Sequence, residues 1–243
     1  MKKRILPLLV TILLAGGAGA LVGFSAMSST NDRYRELIVE VDEIDGMYFV
    51  DEAGVRDAIY AHDSIRGTFI SDISLNQVQT WVQAIPAIGE IEVYPGLDRA
   101  LHVHVAQRKP IARVHFGTGL TDQYLDQEGA ALPLSSYFTA RVPVIHASSL
   151  DNAQVAFELV QATRLDPFWS AFIDQIVVDP KEGLEIIPRI GSARIVLRDL
   201  ENMEAKLANL FTFYTEQVER GNLNVYKRID LSFQDQVVAQ RYY

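Results

Sequence analysis

From Ile5 to Met27 the chain reads ILPLLVTILLAGGAGALVGFSAM, and no charged residue appears between Arg4 and Asp32. A helix over these 23 residues spans roughly 34 Å, enough for a hydrocarbon core of about 30 Å. Lys2, Lys3 and Arg4 precede it, so that end is expected inside and the rest outside. Pro7 falls near the start, where a missing N–H costs little. The Gly/Ala stretch from Ala15 to Ala20 allows close packing against another helix. A cleaved signal peptide is the competing reading, because Ala18-Gly19-Ala20 resembles a cleavage site. Leu21, Val22 and Phe24 carry the apolar run past that point and favour a retained anchor. Either way, the residues beyond the segment are expected to work outside the cytoplasm.

That exported body is acidic. The whole chain carries −9, and Lys2, Lys3 and Arg4 contribute +3, so the remainder carries −12. Such a body repels phosphate backbones, which argues against nucleic acid as a partner. Apolar residues make up 49%, sufficient for a real core and against global disorder. The absence of Cys excludes disulfide scaffolds, thiolate zinc sites and thiol nucleophiles.

The first part of the body alternates and then turns helical. ELIVEVDEI, from Glu36, contains a strand. Asp51 is a good N-cap for a helix carrying Val55, Ala58 and Ile59. Ser74 and Gln77 have capping-box spacing, and Leu75, Val78, Val82 and Ile85 follow at steps of three and four until Pro86. Ile91 and Val93 alternate with polar residues, Pro95-Gly96 marks a turn, and Leu101, Val103 and Val105 share one face of a further strand. The expected order is β-α-α-β-β, with two helices on one face of three strands. That order, after a single anchor, resembles a POTRA domain.

From Ile111 the chain is strand-rich. IARVHF reads as a strand, and QYLDQEGAALPLS as a hairpin turning at Asp126–Gly129. Asp151 to Arg164 has helical spacing, IDQIVVD-PKEG-LEIIPRI reads as a hairpin, and ARIVLRD as a strand. Leu200, Met203, Leu207, Leu210, Phe211 and Tyr214 form one stripe of a helix that ends at Gly221. The closing stretch YKRIDLSFQDQVVAQRYY reads as strand, turn and strand. The expected fold class is α+β: an anchor, the β-α-α-β-β domain, then a mainly antiparallel β domain with two or three helices.

Three passages carry a wider resemblance: EIEVYPGLDRALHVHVAQRKPIARV, YLDQEGAALPLSSYFTARVPVI and KRIDLSFQDQVVAQ. Together they resemble the FtsQ family of bacterial cell-division proteins, in a form like that of Bacteroidetes. In the closing motif Asp230 and Leu231 match, while Ser232, Phe233 and Gln236 stand where Arg, Tyr and Gly are common in the family. The resemblance implies a cytoplasmic tail (1–4), a transmembrane helix (5–27), a linker (28–35), a POTRA-like domain (36–107) and an FtsQ-type β domain (108–243).

Motifs for chemistry are sparse. No nucleophile elbow, P-loop, dinucleotide fingerprint or HExxH motif occurs. Gly191-Ser192-Ala193 reads as a turn. His102 and His104 point the same way from a strand, but two ligands are not a metal site and no adjacent carboxylate completes one. A polar outer face is the plainer reading. Asp42, Glu43 and Asp45 lack the spacing of a calcium loop. Arg108-Lys109-Pro110 is read as a solvated linker, with a membrane or protein contact as the alternative. The expectation is no enzyme, no cofactor and no metal.

A strand close to the carboxyl end is a candidate border of its sheet, with backbone groups open on one side. Partner recognition by strand addition and a merely protected edge are both open on the residues alone. The FtsQ resemblance favours the first. It implies that the inner-membrane scaffold links other divisome membrane proteins and captures an FtsB/FtsL pair on this strand, so controlling septal peptidoglycan synthesis. By motif position the partner-binding residues are Phe233, Gln236, Val237, Val238, Ala239, Gln240 and Arg241. Two rivals remain: a chaperone-like POTRA factor in outer-membrane protein assembly or secretion, and a secreted enzyme.

Overall fold

The computed structural model describes residues 33–46, 48–117, 119–135, 138–233 and 236–242. The expected anchor at 5–27, the tail before it and residues 28–32 of the linker lie outside the described residues. Among the described residues no helix is long and apolar enough to cross a membrane. The chain divides into two compact units between Gln107 and Arg108.

The first unit runs β1 (Glu36–Val41), α1 (Glu52–Tyr60), a single 3-10 turn at Ile70–Asp72, α2 (Leu75–Gln83), β2 (Ile88–Pro95) and β3 (Ala100–Gln107). β3 is the middle strand, parallel to β1 and antiparallel to β2. Strand alternation places Leu37, Val39, Leu101, Val103 and Val105 on one face. All are buried in one cluster with Val55 and Ile59 of α1 and Val78 and Val82 of α2. Asp51 caps α1, its Oδ1 accepting the Gly54 N–H at 2.8 Å. Ser74 departs from expectation: its side chain makes no capping bond, and the Gln77 N–H donates instead to the Ser74 backbone oxygen at 3.0 Å. The α2 start is held by the burial of Val78 and Val82 rather than by a capping box.

The second unit runs β4 (Pro110–His115), β5 (Gln123–Asp126), β6 (Ala131–Pro133), β7 (Val144–His146), α3 (Leu150–Thr163), α4 (Pro167–Phe172), β8 (Ile173–Asp179), β9 (Gly183–Pro188), β10 (Arg194–Leu197), α5 (Met203–Glu219), β11 (Tyr226–Asp230) and β12 (Val238–Arg241). Its described strands form a nine-stranded sheet in the order β12-β11-β10-β9-β8-β7-β4-β5-β6. The α+β class holds, with a large sheet and five α-helices among the described residues.

The sheet is more mixed than expected. Five neighbour pairs are antiparallel, but β4 with β7, β7 with β8, and β10 with β11 are parallel. Parallel neighbours need a crossover. α3 and α4 supply it between β7 and β8, and α5 between β10 and β11. α4 was not anticipated; Asp166 caps it by accepting the N–H of Phe168 at 2.8 Å and of Trp169 at 3.2 Å.

Side chains fix the two tight hairpins. Asp126, 3% exposed, accepts the N–H groups of Glu128 and Ala130 on Oδ1 and the Arg108 Nε on Oδ2. At the β8–β9 turn, Asp179 accepts from the Lys181 and Glu182 N–H groups. Those bonds hold its carboxyl below the usual range. Gly183 follows at φ +90, and a Cβ there would lie 2.5 Å from the Arg198 carbonyl oxygen; only glycine fits.

Candidate partner-binding edge

β12 is the outermost described strand on its side of the sheet, paired with β11 in the register Asp230↔Val238, Ile229↔Ala239 and Arg228↔Gln240. Two hydrogen bonds orient its backbone. The Tyr242 N–H donates to the Val225 oxygen at 3.0 Å, and across β11 the Leu231 N–H donates to the Val196 oxygen at 2.9 Å. Backbone groups switch sides at each residue of a strand. Val238 and Gln240 therefore face β11 with theirs, and Ala239 and Arg241 face outward. No described strand receives those outward groups.

The seven residues singled out by motif do not form one continuous strand. β12 begins at Val238, so Gln236 and Val237 precede it. Phe233 lies between β11 and β12 in the chain and is 50% exposed. Val237 and Ala239 pack against the core beside Ile229. Val238 and Gln240 lie on the opposite face, where Val238 is 44% exposed. The Arg241 guanidinium lies 5.6 Å from the centre of the Tyr226 ring, a cation–π contact at the outer end of β12.

Charges from distant parts of the chain gather on that exposed face. The Arg228 Nη1 donates to Glu182 Oε2 at 2.7 Å, and its Nη2 lies 3.7 Å from Asp230. Glu182 and then Asp230 hold the guanidinium even more firmly protonated than usual. Burial works against the Asp230 charge, yet hydrogen bonding from Ser232 and the nearby Arg228 and Arg198 outweigh it and lower its pKa. Arg194 donates to Glu185 at 2.9 Å. Little in the sequence announces this mosaic, because 46 residues separate Arg228 from Glu182.

The histidines sort differently from the expectation. His102 and His104 do have carboxylate neighbours, but each has its own. His102 lies 3.1 Å from Asp98 and stacks on Tyr94 at 5.1 Å, while His104 lies 2.9 Å from Asp42. His115 and His146, which look scattered in sequence, are paired across β4 and β7 with ring centres 5.3 Å apart. His115 also contacts Asp122 at 3.0 Å, and hydrogen bonding from His115 and Arg113 lowers the Asp122 pKa. Among the described residues no three His, Asp or Glu side chains group as metal ligands.

A family model described as FtsQ/DivIB, C-terminal related, matches residues 109–240. The match opens one residue before β4 and closes within β12, so it covers the large sheet almost from end to end. No curated protein matches the chain. More than half of the sequence fits that one family model, and the chain belongs to the FtsQ/DivIB C-terminal related family.

Proposed function

We propose that this chain is a non-enzymatic scaffold of cell division that captures a partner by strand addition on β12. Membership of the FtsQ/DivIB family gives it a role in cell division among other division proteins. The observation that carries the finer reading is the outward direction of the Ala239 and Arg241 backbone groups on the outermost described strand. An extended segment laid along β12 would bond those groups. Its side chains would alternate between Val238 and Gln240 on the open face and Val237 and Ala239 on the core face. In this reading the partner is an FtsB-type segment travelling with an FtsL-type protein. The 5–27 segment is the inner-membrane anchor, and the body, with 36–107 as a POTRA-like unit, lies in the periplasm at the septum. Any effect on peptidoglycan synthesis is indirect, through the populations of assembled states.

Two proline substitutions test the edge. Ala239→Pro removes an outward N–H and leaves the β11 ladder intact, which an edge strand tolerates. Val238→Pro removes an inward N–H and loosens β12 itself. The expected result is that Ala239→Pro abolishes capture of an FtsB-type segment while the melting temperature holds, and that a fluorescent fusion of the parent chain concentrates at midcell. Capture undiminished by Ala239→Pro, or diffuse fluorescence, would overturn the proposal.

A further inference from the structure

Away from β12, a cavity of about 250 Å³ opens between the start of β4, the start of β8, the end of α3 and α4. β4 stands six strand positions from β12, roughly 29 Å at the usual strand spacing, so the cavity and the edge are separate places. Its floor is apolar and buried: Ile111, Val160, Trp169 and Ile173. Its rim carries Lys109, Arg141 and Arg164, and no carboxylate is among its lining residues.

The arginines are the unusual part. The Arg164 Nε is cut off from solvent and has no hydrogen-bond partner among the described residues. Neither Arg141 nor Arg164 takes part in an ion pair among the described residues, although the body is strongly acidic. A buried cationic donor without an acceptor is costly, and such groups in native proteins nearly always have a partner. A guanidinium fork matches the paired oxygens of a carboxylate or of a phosphate.

We propose that this cavity is a second docking site, which takes an acidic peptide segment of a protein partner. One aliphatic or aromatic side chain enters the cavity beside Trp169, and a neighbouring Asp or Glu carboxylate bridges Arg164 and Arg141. The volume supports a single anchoring side chain, being below the usual size of a small-molecule pocket of about 300–1,000 Å³. A buried apolar anchor ringed by charge is also the common form of an interface hot spot. Anionic lipid would meet the same cations, but Trp169 and Ile173 lie at the bottom of a recess and are 8% and 1% exposed. A membrane-binding patch needs its apolar residues on the outside.

Trp169 is its own reporter, since Trp81 is the other tryptophan of the chain. The full chain carrying Trp81→Phe, in neutral detergent micelles, is titrated with Ac-Phe-Glu-Phe-Asp-NH2 and with its amide analogue Ac-Phe-Gln-Phe-Asn-NH2. A saturable change in Trp169 emission is expected for the acidic peptide, with the analogue weaker by roughly tenfold or more. Arg141→Gln together with Arg164→Gln should weaken the acidic peptide by a similar factor. Should that pair disturb the fold by circular dichroism, Arg141→Gln alone, at an exposed position, should still weaken it measurably. Ala239→Pro should leave this titration unchanged, which separates the site from the β12 edge. Equal affinity for the two peptides, no response up to about 1 mM, or a response to phosphatidylglycerol in the micelles with none to peptide would each overturn the proposal.

Discussion

Gln107, the last residue of β3, holds the Phe49 N–H on its Oε1 at 2.7 Å across 58 residues of sequence. The same oxygen accepts from Val50 at 3.1 Å, and the amide Nε2 donates to the Asp42 oxygen at 2.7 Å. One buried side chain thus pins the segment between β1 and α1. Replacing Gln107 by Leu strands two buried N–H groups, at about 1–3 kcal/mol for each unmet group. Denaturation of the first unit should show a loss of about 2–4 kcal/mol, and hydrogen exchange at Phe49 and Val50 should speed up before the rest of the unit. Unchanged protection at both amides would disprove the pinning role.

Asp126 occupies a comparable position in the second unit. Its buried carboxylate closes the β5–β6 hairpin and pairs with Arg108. Asp126→Ala takes away the side-chain acceptor of two turn N–H groups and the carboxylate partner of the mostly covered Arg108 guanidinium. The expected cost is about 2–4 kcal/mol, read as a lowered denaturation midpoint. In a double-mutant cycle, Arg108→Ala should cost much less once Asp126 is gone.

His104 gives the first unit a pH dependence. Hydrogen bonding to Asp42 raises its pKa above 6.5, against a smaller opposing effect of burial, and Glu92 and Glu40 add to the rise. A raised folded-state pKa means that the protonated form is stabilised by folding. This contribution is fully present below pH 6.5 and is lost as pH rises through the folded value. A titration of the His104 ring by NMR should therefore give a midpoint above 6.5, and Asp42→Asn should move it down. A midpoint at or below 6.5 in the parent chain would refute the assignment.

The open border has a cost of its own. Arg241 is exposed on β12, and a charge on an edge strand discourages pairing between copies. Arg241→Val should raise concentration-dependent self-association in light scattering, and Ala239→Pro in the same chain should suppress it. Monodisperse behaviour of Arg241→Val at high concentration would show that the charge is not what protects the edge.

Much of this architecture was legible because local signals agreed with it. Leu101, Val103 and Val105 alternate as a strand must, Asp51 precedes α1 as a cap, and Asp126–Gly129 turns where it was expected. Other features depend on the assembled sheet. The Ser74–Gln77 spacing suggested a capping box, but helix packing set α2 without it. α4 has six residues, too few for a periodic stripe to declare itself. A strand's residues carry no mark of whether its neighbour runs parallel, so β4, β7 and β8 could not be ordered in advance. The meetings of His115 with His146 and of Arg228 with Glu182 likewise exist only through register. The cavity at Arg164 was beyond reach for the same reason: its walls come from four separate elements.

The parallel pairing of β1 with β3 joins Glu36 to Ala100 and Val41 to Val105. β1 has no other described neighbour in its sheet, so its ladder waits for a strand made 64 residues later. Closing so long a loop is entropically slow, and helices α1 and α2 cannot cover Leu37 and Val39 properly until it happens. The unit should therefore assemble in one late, cooperative event, and a nascent chain stalled short of Gln107 would leave an apolar strand exposed to chaperones and proteases.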